Sequence, residues 1–221
     1  MKKKIYKVTF LTDKKNDWIK SYLSKKKFLF KNRYDYKFSN NIDTIVDQDI
    51  LFIVNYTKVL SDSFLQKNRL NLVIHASDLP KDRGFAPVAN QVMRGKNQIY
   101  ISLIEANEKV DTGCIFLKQK FYLKGTDLYD EIRNKTAIAM IKIINSFLKQ
   151  YPLKINSKFQ KGKSNFNKKR TDKDNKLNIN KSIKKQFHIL RLSNNENFPA
   201  YFYNQGEKFI LKIYKDKKNK S

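Results

Sequence analysis

Residues able to do chemistry are few in this chain. It holds two histidines, His75 and His188, and one cysteine, Cys114. His75 opens the run His75-Ala-Ser-Asp-Leu-Pro-Lys-Asp-Arg83-Gly84-Phe-Ala-Pro87, which leaves an apolar segment and passes through Pro, Gly and Pro before a helix begins. A second run, Glu105-Ala-Asn-Glu-Lys-Val-Asp111-Thr112-Gly113, reads as a loop between two later strands. By residue type alone, a strand-end histidine is more often a satisfied structural group than a catalyst. An imidazole with a carboxylate beside it can nevertheless accept a proton and return it, because the carboxylate orients the ring and favours its charged form. A single cysteine makes no internal disulfide, and with only two histidines no metal cluster of the usual spacing exists. A reducing compartment and no structural metal are expected.

In this order, His-x-Ser-x-Leu-Pro, Arg-Gly-x-x-Pro and Val-Asp-Thr-Gly resemble the formyltransferases that use a formylated folate. That group contains methionyl-tRNA formyltransferase and the nucleotide-sugar N-formyltransferases. The resemblance covers roughly residues 49–150 and is weaker before them. It implies transfer of a formyl group from N10-formyltetrahydrofolate to a primary amine through a tetrahedral intermediate, with His75 as general acid/base and Asp111 as its partner. In relatives an Asn stands two residues before the histidine, where this chain has Val73. Asn71, four residues before His75, lies roughly 13 Å away at strand rise, too far to substitute. Asn55, emerging after its own buried strand, is the better oxyanion donor; a backbone N–H, a protonated His75 or an ordered water are the alternatives. The resemblance also makes Tyr56, Val59 and Leu60 possible folate contacts, against a plain connecting loop. Arg83 is expected to tie its loop down or to meet the folate tail. Asp13 and Trp18, near the first strand–helix turn, have no Gly-x-Gly-x-x-Gly beside them, which disfavours a nicotinamide cofactor.

These residues need a scaffold, and the apolar pattern supplies one. Lys4–Thr12, Tyr34–Phe38, Asp49–Val54 and Leu72–His75 read as strands, with helices at Asp17–Lys26 and Ser61–Lys67. Continuous apolar strands separated by helices predict an α/β fold with a doubly wound, Rossmann-like, mostly parallel sheet, whose sites lie off the carboxyl ends of the strands. Two further strands, Gln98–Glu105 and Cys114–Phe121, precede a long helix from Thr126 or Asp127 to about Lys149. The expected organisation is a catalytic domain over 1–152, a basic linker or arm over 153–185, and a small strand-rich module over 186–221. That module would hold Gln186–Leu192 and a hairpin of Tyr201–Tyr203 with Lys208–Tyr214, an exposed pair able to extend a sheet across a two-fold axis in a homodimer.

The tail sets the expected acceptor. Gln160-Lys-Gly-Lys-Ser, Lys169-Arg170-Thr171-Asp172, Leu190-Arg191 and Phe198-Pro199-Ala200 resemble the short C-terminal module of sugar-nucleotide formyltransferases. The spelling His-Ala-Ser-Asp-Leu-Pro resembles the pseudaminic-acid-precursor subgroup. The implied acceptor is a nucleotide-linked amino sugar, such as a UDP-4-amino-4,6-dideoxy sugar. Arg170 and Arg191 are candidates either to order the tail or to meet its phosphates. The alternatives are a methionyl-tRNA formyltransferase with a shortened tail, or a non-catalytic binding homologue.

Net charge is +27, and residues 151–221 carry 19 Lys+Arg against 5 Asp+Glu, which would serve such a tRNA enzyme. Yet 40 of the 47 basic residues are Lys and 23 residues are Asn, the signature of compositional drift, while Arg, the residue of bidentate recognition, is scarce. A dedicated nucleic-acid face is therefore not expected. No run of 18 apolar residues and no secretory cleavage site is present, so the reading is a cytoplasmic protein without a membrane span.

Overall fold

A computed structural model of the chain describes residues 4–14, 18–25, 30, 32–153 and 156–216. Six strands build one sheet: β1 (Tyr6–Leu11), β2 (Tyr34–Ser39), β3 (Ile50–Val54), β4 (Asn71–His75), β6 (Gln98–Glu105) and β7 (Ile115–Tyr122). Their spatial order is β2-β1-β3-β4-β6-β7. The first four run parallel, while β6 is antiparallel to β4 and β7 to β6. The chain steps from β1 outward to β2 and then returns to the other side of β1 as β3. That reversal makes the carboxyl ends of β1 and β3 the topological switch point, where open α/β sheets place their ligand sites. The mostly parallel α/β sheet matches the expectation.

Burial explains the apolar runs. All five residues of β3 are buried, because β3 lies inside the sheet with both faces covered. On one face α1 (Trp18–Lys25) and α4 (Tyr129–Gln150) close over Val8, Phe10, Phe52 and Leu72. Ala137, Ile143, Ile144 and Leu148 of α4 are fully buried there, each large side chain contributing about 1.5–3 kcal/mol of burial. On the other face α2 (Asp62–Leu65) packs with Leu11, Leu51, Ile53 and Leu60. The expected helix ends Asp17 and Lys26 lie outside the described residues.

The tail differs from its expectation. Gln186–Leu192 is part of helix α5 (Ile183–Leu192), so the tail is a helix followed by a hairpin. Ser182 caps α5, its Oγ accepting from the Lys185 N–H, and Gln186 and Leu190 are buried one turn apart. Tertiary burial of this single face outweighs the strand-like look of Phe-His-Ile-Leu. The hairpin is β9 (Ala200–Asn204) with β10 (Glu207–Leu211), turning at Gln205 and Gly206 with φ of +50° and +86°.

The basic arm does not leave the body. Lys158 bridges Ile115, and β8 (Phe166–Asn167) pairs in parallel with β5 (Arg83–Gly84) in the loop that follows His75. Among the described residues no helix is long and apolar enough to cross a membrane.

Candidate active site

His75 is the last residue of β4 and is 7% exposed. Its loop folds on Ser77, whose Oγ donates to Lys81 O at 2.7 Å and whose carbonyl accepts from Ser102 Oγ at 2.7 Å. This turns the chain back, so that His75 Nε2 meets the backbone oxygen of Asp82 at 2.7 Å. The other ring nitrogen, Nδ1, faces Asp111 Oδ1 at 3.3 Å, with both side chains 8% exposed. Two residues far apart in sequence thus meet at the carboxyl edge of the sheet.

Asp111 is held from three directions. It adopts a left-handed conformation, φ +56°. Its Oδ2 accepts the Gly84 N–H at 2.8 Å, and its carbonyl accepts from Gln160 Nε2 at 2.8 Å. Gln160 also donates to Gly113 O at 2.9 Å and accepts from Arg83 Nη2 at 2.7 Å. Gly113 has a steric reason to be glycine: a Cβ there would stand 1.9 Å from Glu105 O. The Asp-Thr-Gly loop is therefore pressed onto the end of β6 and pinned by the arm.

Asp82 completes the surroundings. Burial would raise its carboxyl pKa, but donors from Asn167, Asn165 and Arg94 outweigh that and hold it below the usual carboxylate value.

The remaining expected residues fall in different places. Asn55 follows β3 with φ +56°. The register pairs Val54 with Ile74, so Asn55 leaves β3 at the same carboxyl edge at which His75 ends β4. Val73 pairs with Ile53 and Ile104 inside the sheet. Asn71 donates to Leu65 O at the far end of β4. Tyr56 and Leu60 pack on the core beneath α2, Leu60 only 8% exposed, whereas Val59 is 67% exposed. Leu60 thus anchors the 55–60 loop and Val59 stands open. Thr57 Oγ1 donates to Asp13, joining the loops after β1 and β3.

The two tail arginines face inward. Arg191 is 5% exposed, and its Nε and Nη1 donate to Asp127 O at 2.9 Å and Asn97 Oδ1 at 3.0 Å, with Nη2 on Lys124 O. Arg170 donates to Asp174 O and Asn175 Oδ1. Of their two expected roles, these contacts are those of ordering the tail.

Asp82, Asn165 and Asn167 belong to no motif that the sequence marks out, and Gln160 stands in it only as a tail landmark. Asn and Lys saturate the arm, so its two working asparagines had no compositional contrast.

Residues 3–148 match the formyl transferase family. A methionyl-tRNA formyltransferase of Wigglesworthia glossinidia brevipalpis is 32% identical over 135 residues, 60% of this chain and 42% of that protein. The chain thus spans less than half the length of that relative. Among solved structures, a methionyl-tRNA formyltransferase from Clostridium thermocellum superposes with a TM-score of 0.80 at 19% identity, covering 98% of this chain and 96% of the other. A sugar N-formyltransferase from a Shewanella species superposes with a TM-score of 0.72 at 15% identity, covering 96% and 98%. At such identities the structures speak for the fold alone. The family match takes in both His75 and Asp111, and with more than half of its residues inside it the chain belongs to the formyl transferase family, enzymes that transfer one-carbon formyl groups.

Proposed function

We propose that the protein is an N-formyltransferase acting from N10-formyltetrahydrofolate onto the primary amine of a nucleotide-linked amino sugar. The observation that carries the transfer is the His75–Asp111 pair, 3.3 Å apart at the carboxyl edge of the sheet. The folate supplies the formyl carbonyl and a nitrogen that takes up the proton once its bond to carbon breaks. Segment 55–60 fits a pterin ring: it is neither helix nor strand, so its backbone polar groups are not consumed by a ladder. Arg83 Nε, buried without a partner among the described residues, supports a place for an acceptor on the bound folate.

His75 Nδ1 and Asp111 Oδ1 form a two-acceptor face for the incoming amine. The base takes the amine proton as nitrogen bonds to the formyl carbon, and the same proton is delivered to the departing nitrogen. Asp111, fixed by Gly84 and Gln160, offsets the positive charge of the ring once Nδ1 has taken the proton. Asn55, which follows β3 at the carboxyl edge where His75 ends β4, is the side-chain candidate to stabilise the developing oxyanion.

For the acceptor, the helix–hairpin tail with Arg170-Thr171 and Phe198-Pro199-Ala200 supports the sugar reading, in its finer form a UDP-4-amino-4,6-dideoxy sugar of the pseudaminic-acid type. The identity to methionyl-tRNA formyltransferases favours the second reading, charged initiator tRNA. The test supplies formyl-folate with each acceptor in turn and follows formylated product by mass spectrometry. Product from the amino sugar alone is the expected result, and product from tRNA alone would overturn the acceptor assignment.

A further inference from the structure

Asp82 joins two systems that the transfer reaction does not obviously require to meet. It is 4% exposed, and its backbone is left-handed at φ +60°. Its side chain is gripped by the arm and by the residue that ends α3 (Pro87–Met93): Asn165 Nδ2 at 3.3 Å, Asn167 Nδ2 at 3.2 Å and Arg94 Nη2 at 2.5 Å all donate to Oδ1. Its own N–H donates to Asn165 Oδ1 at 3.0 Å. The carbonyl of this clamped residue is the one that meets His75 Nε2.

A carbonyl oxygen only accepts, so the short 2.7 Å contact puts a hydrogen on Nε2. The 3.3 Å separation between Nδ1 and Asp111 is longer than the roughly 2.7–2.9 Å of a charge-assisted bond. A neutral imidazole carries one hydrogen. If it sat on Nδ1, donated to Asp111, the ring would show no lone pair toward the amine. With it held on Nε2, the lone pair of Nδ1 lies beside the carboxylate, where a base is needed.

We propose that Asp82 is the positioning residue of the active centre: Asn165, Asn167 and Arg94 clamp its carboxylate so that its carbonyl holds the His75 hydrogen on Nε2 and leaves Nδ1 as the base. The arm, which reads in sequence as a basic linker, thereby sets the tautomer of the catalytic ring. The proposal rests on the formyl-transfer reading.

Two variants of the full chain test it. Asp82→Gly tolerates the left-handed backbone and keeps the carbonyl while deleting the carboxylate; the double change Asn165→Ala with Asn167→Ala removes the arm's grip and leaves Asp82 intact. Histidine nitrogen-15 shifts report which ring nitrogen is protonated, and with two histidines in the chain the His188→Ala protein assigns the signals. In the unaltered protein with a neutral ring, Nε2 should show the protonated shift and Nδ1 the unprotonated one. In both variants the two shifts should move toward each other, and kcat should fall about 10- to 100-fold with little change in KM for formyl-folate. Asp82→Asn, which keeps an acceptor oxygen, should recover most of the loss. A hydrogen on Nδ1 in the unaltered protein, or an unaltered nitrogen pattern in a folded variant, would overturn the positioning role, as would a tautomer shift with unchanged kcat. The nitrogen pattern is read without substrate. An unaltered protein with the expected pattern but no formyl transfer to any amine would overturn the function and not the tautomer control.

Discussion

At the scale of the residue, the proposed chemistry lies in one imidazole and one carboxylate. His75→Ala removes the group that moves the proton, and kcat for formyl transfer should fall about 10²- to 10⁴-fold. Asp111→Asn preserves shape and still offers an oxygen to the Gly84 N–H, so its loss should be smaller than that of His75→Ala. Single-turnover rates with formyl-folate, alongside matching melting temperatures, check both; unchanged rates would point to another active centre. His75 and Asp111 were legible in the chain because each sits in a motif with its own local reason. Ser77 folds the histidine loop, and Gly113 permits the close approach of the aspartate loop to Glu105. Asp82 had no such mark. Its role comes through a main-chain oxygen, which every residue type carries, and through asparagines more than eighty positions away.

At the scale of the element, α5 and the arm decide how the tail belongs to the catalytic body. Arg191, in the last turn of α5, donates to two backbone carbonyls and to Asn97, at the loop before α4 and the turn after α3. Arg191→Ala strands those acceptors in a buried place at about 1–3 kcal/mol each. Urea unfolding should show a clear loss of stability, while KM for the nucleotide-linked amine stays unchanged. A raised KM with unaltered stability would restore the phosphate-binding role to this residue. The pattern Ile183, Phe187, Leu190 with a Ser cap is a helix signal. Over so short a run it competes with the strand preference of its β-branched and aromatic members, and packing decides.

At the scale of the molecule, the carboxylates that tie its parts together share a sign. Asp127 is buried, which would raise its pKa, but Lys135 and the Lys124 N–H overcome this and hold it low; Asp82 behaves likewise through Asn167, Asn165 and Arg94. A carboxylate with a depressed folded value binds protons more readily when unfolded, so the unfolded state gains protons as the medium turns acid. The stabilisation is complete above the unfolded value of about 4 and disappears as pH falls through the lower folded values. Melting temperature followed by circular dichroism should therefore drop steeply below about pH 4. Asp127→Asn should melt lower at neutral pH and show a shallower acid limb, and an equal acid slope would remove Asp127 from the account. Sequence alone determined the α/β class, the long covering helix and the family, because these depend on apolar periodicity and on short motifs whose constraints are local. The tertiary structure alone decided that the arm returns to the histidine loop, that the tail arginines face inward and that Asp82 reaches the imidazole. Those contacts join segments distant along the chain through backbone groups and common polar side chains, which carry no periodic signature, so only the folded geometry selects among them.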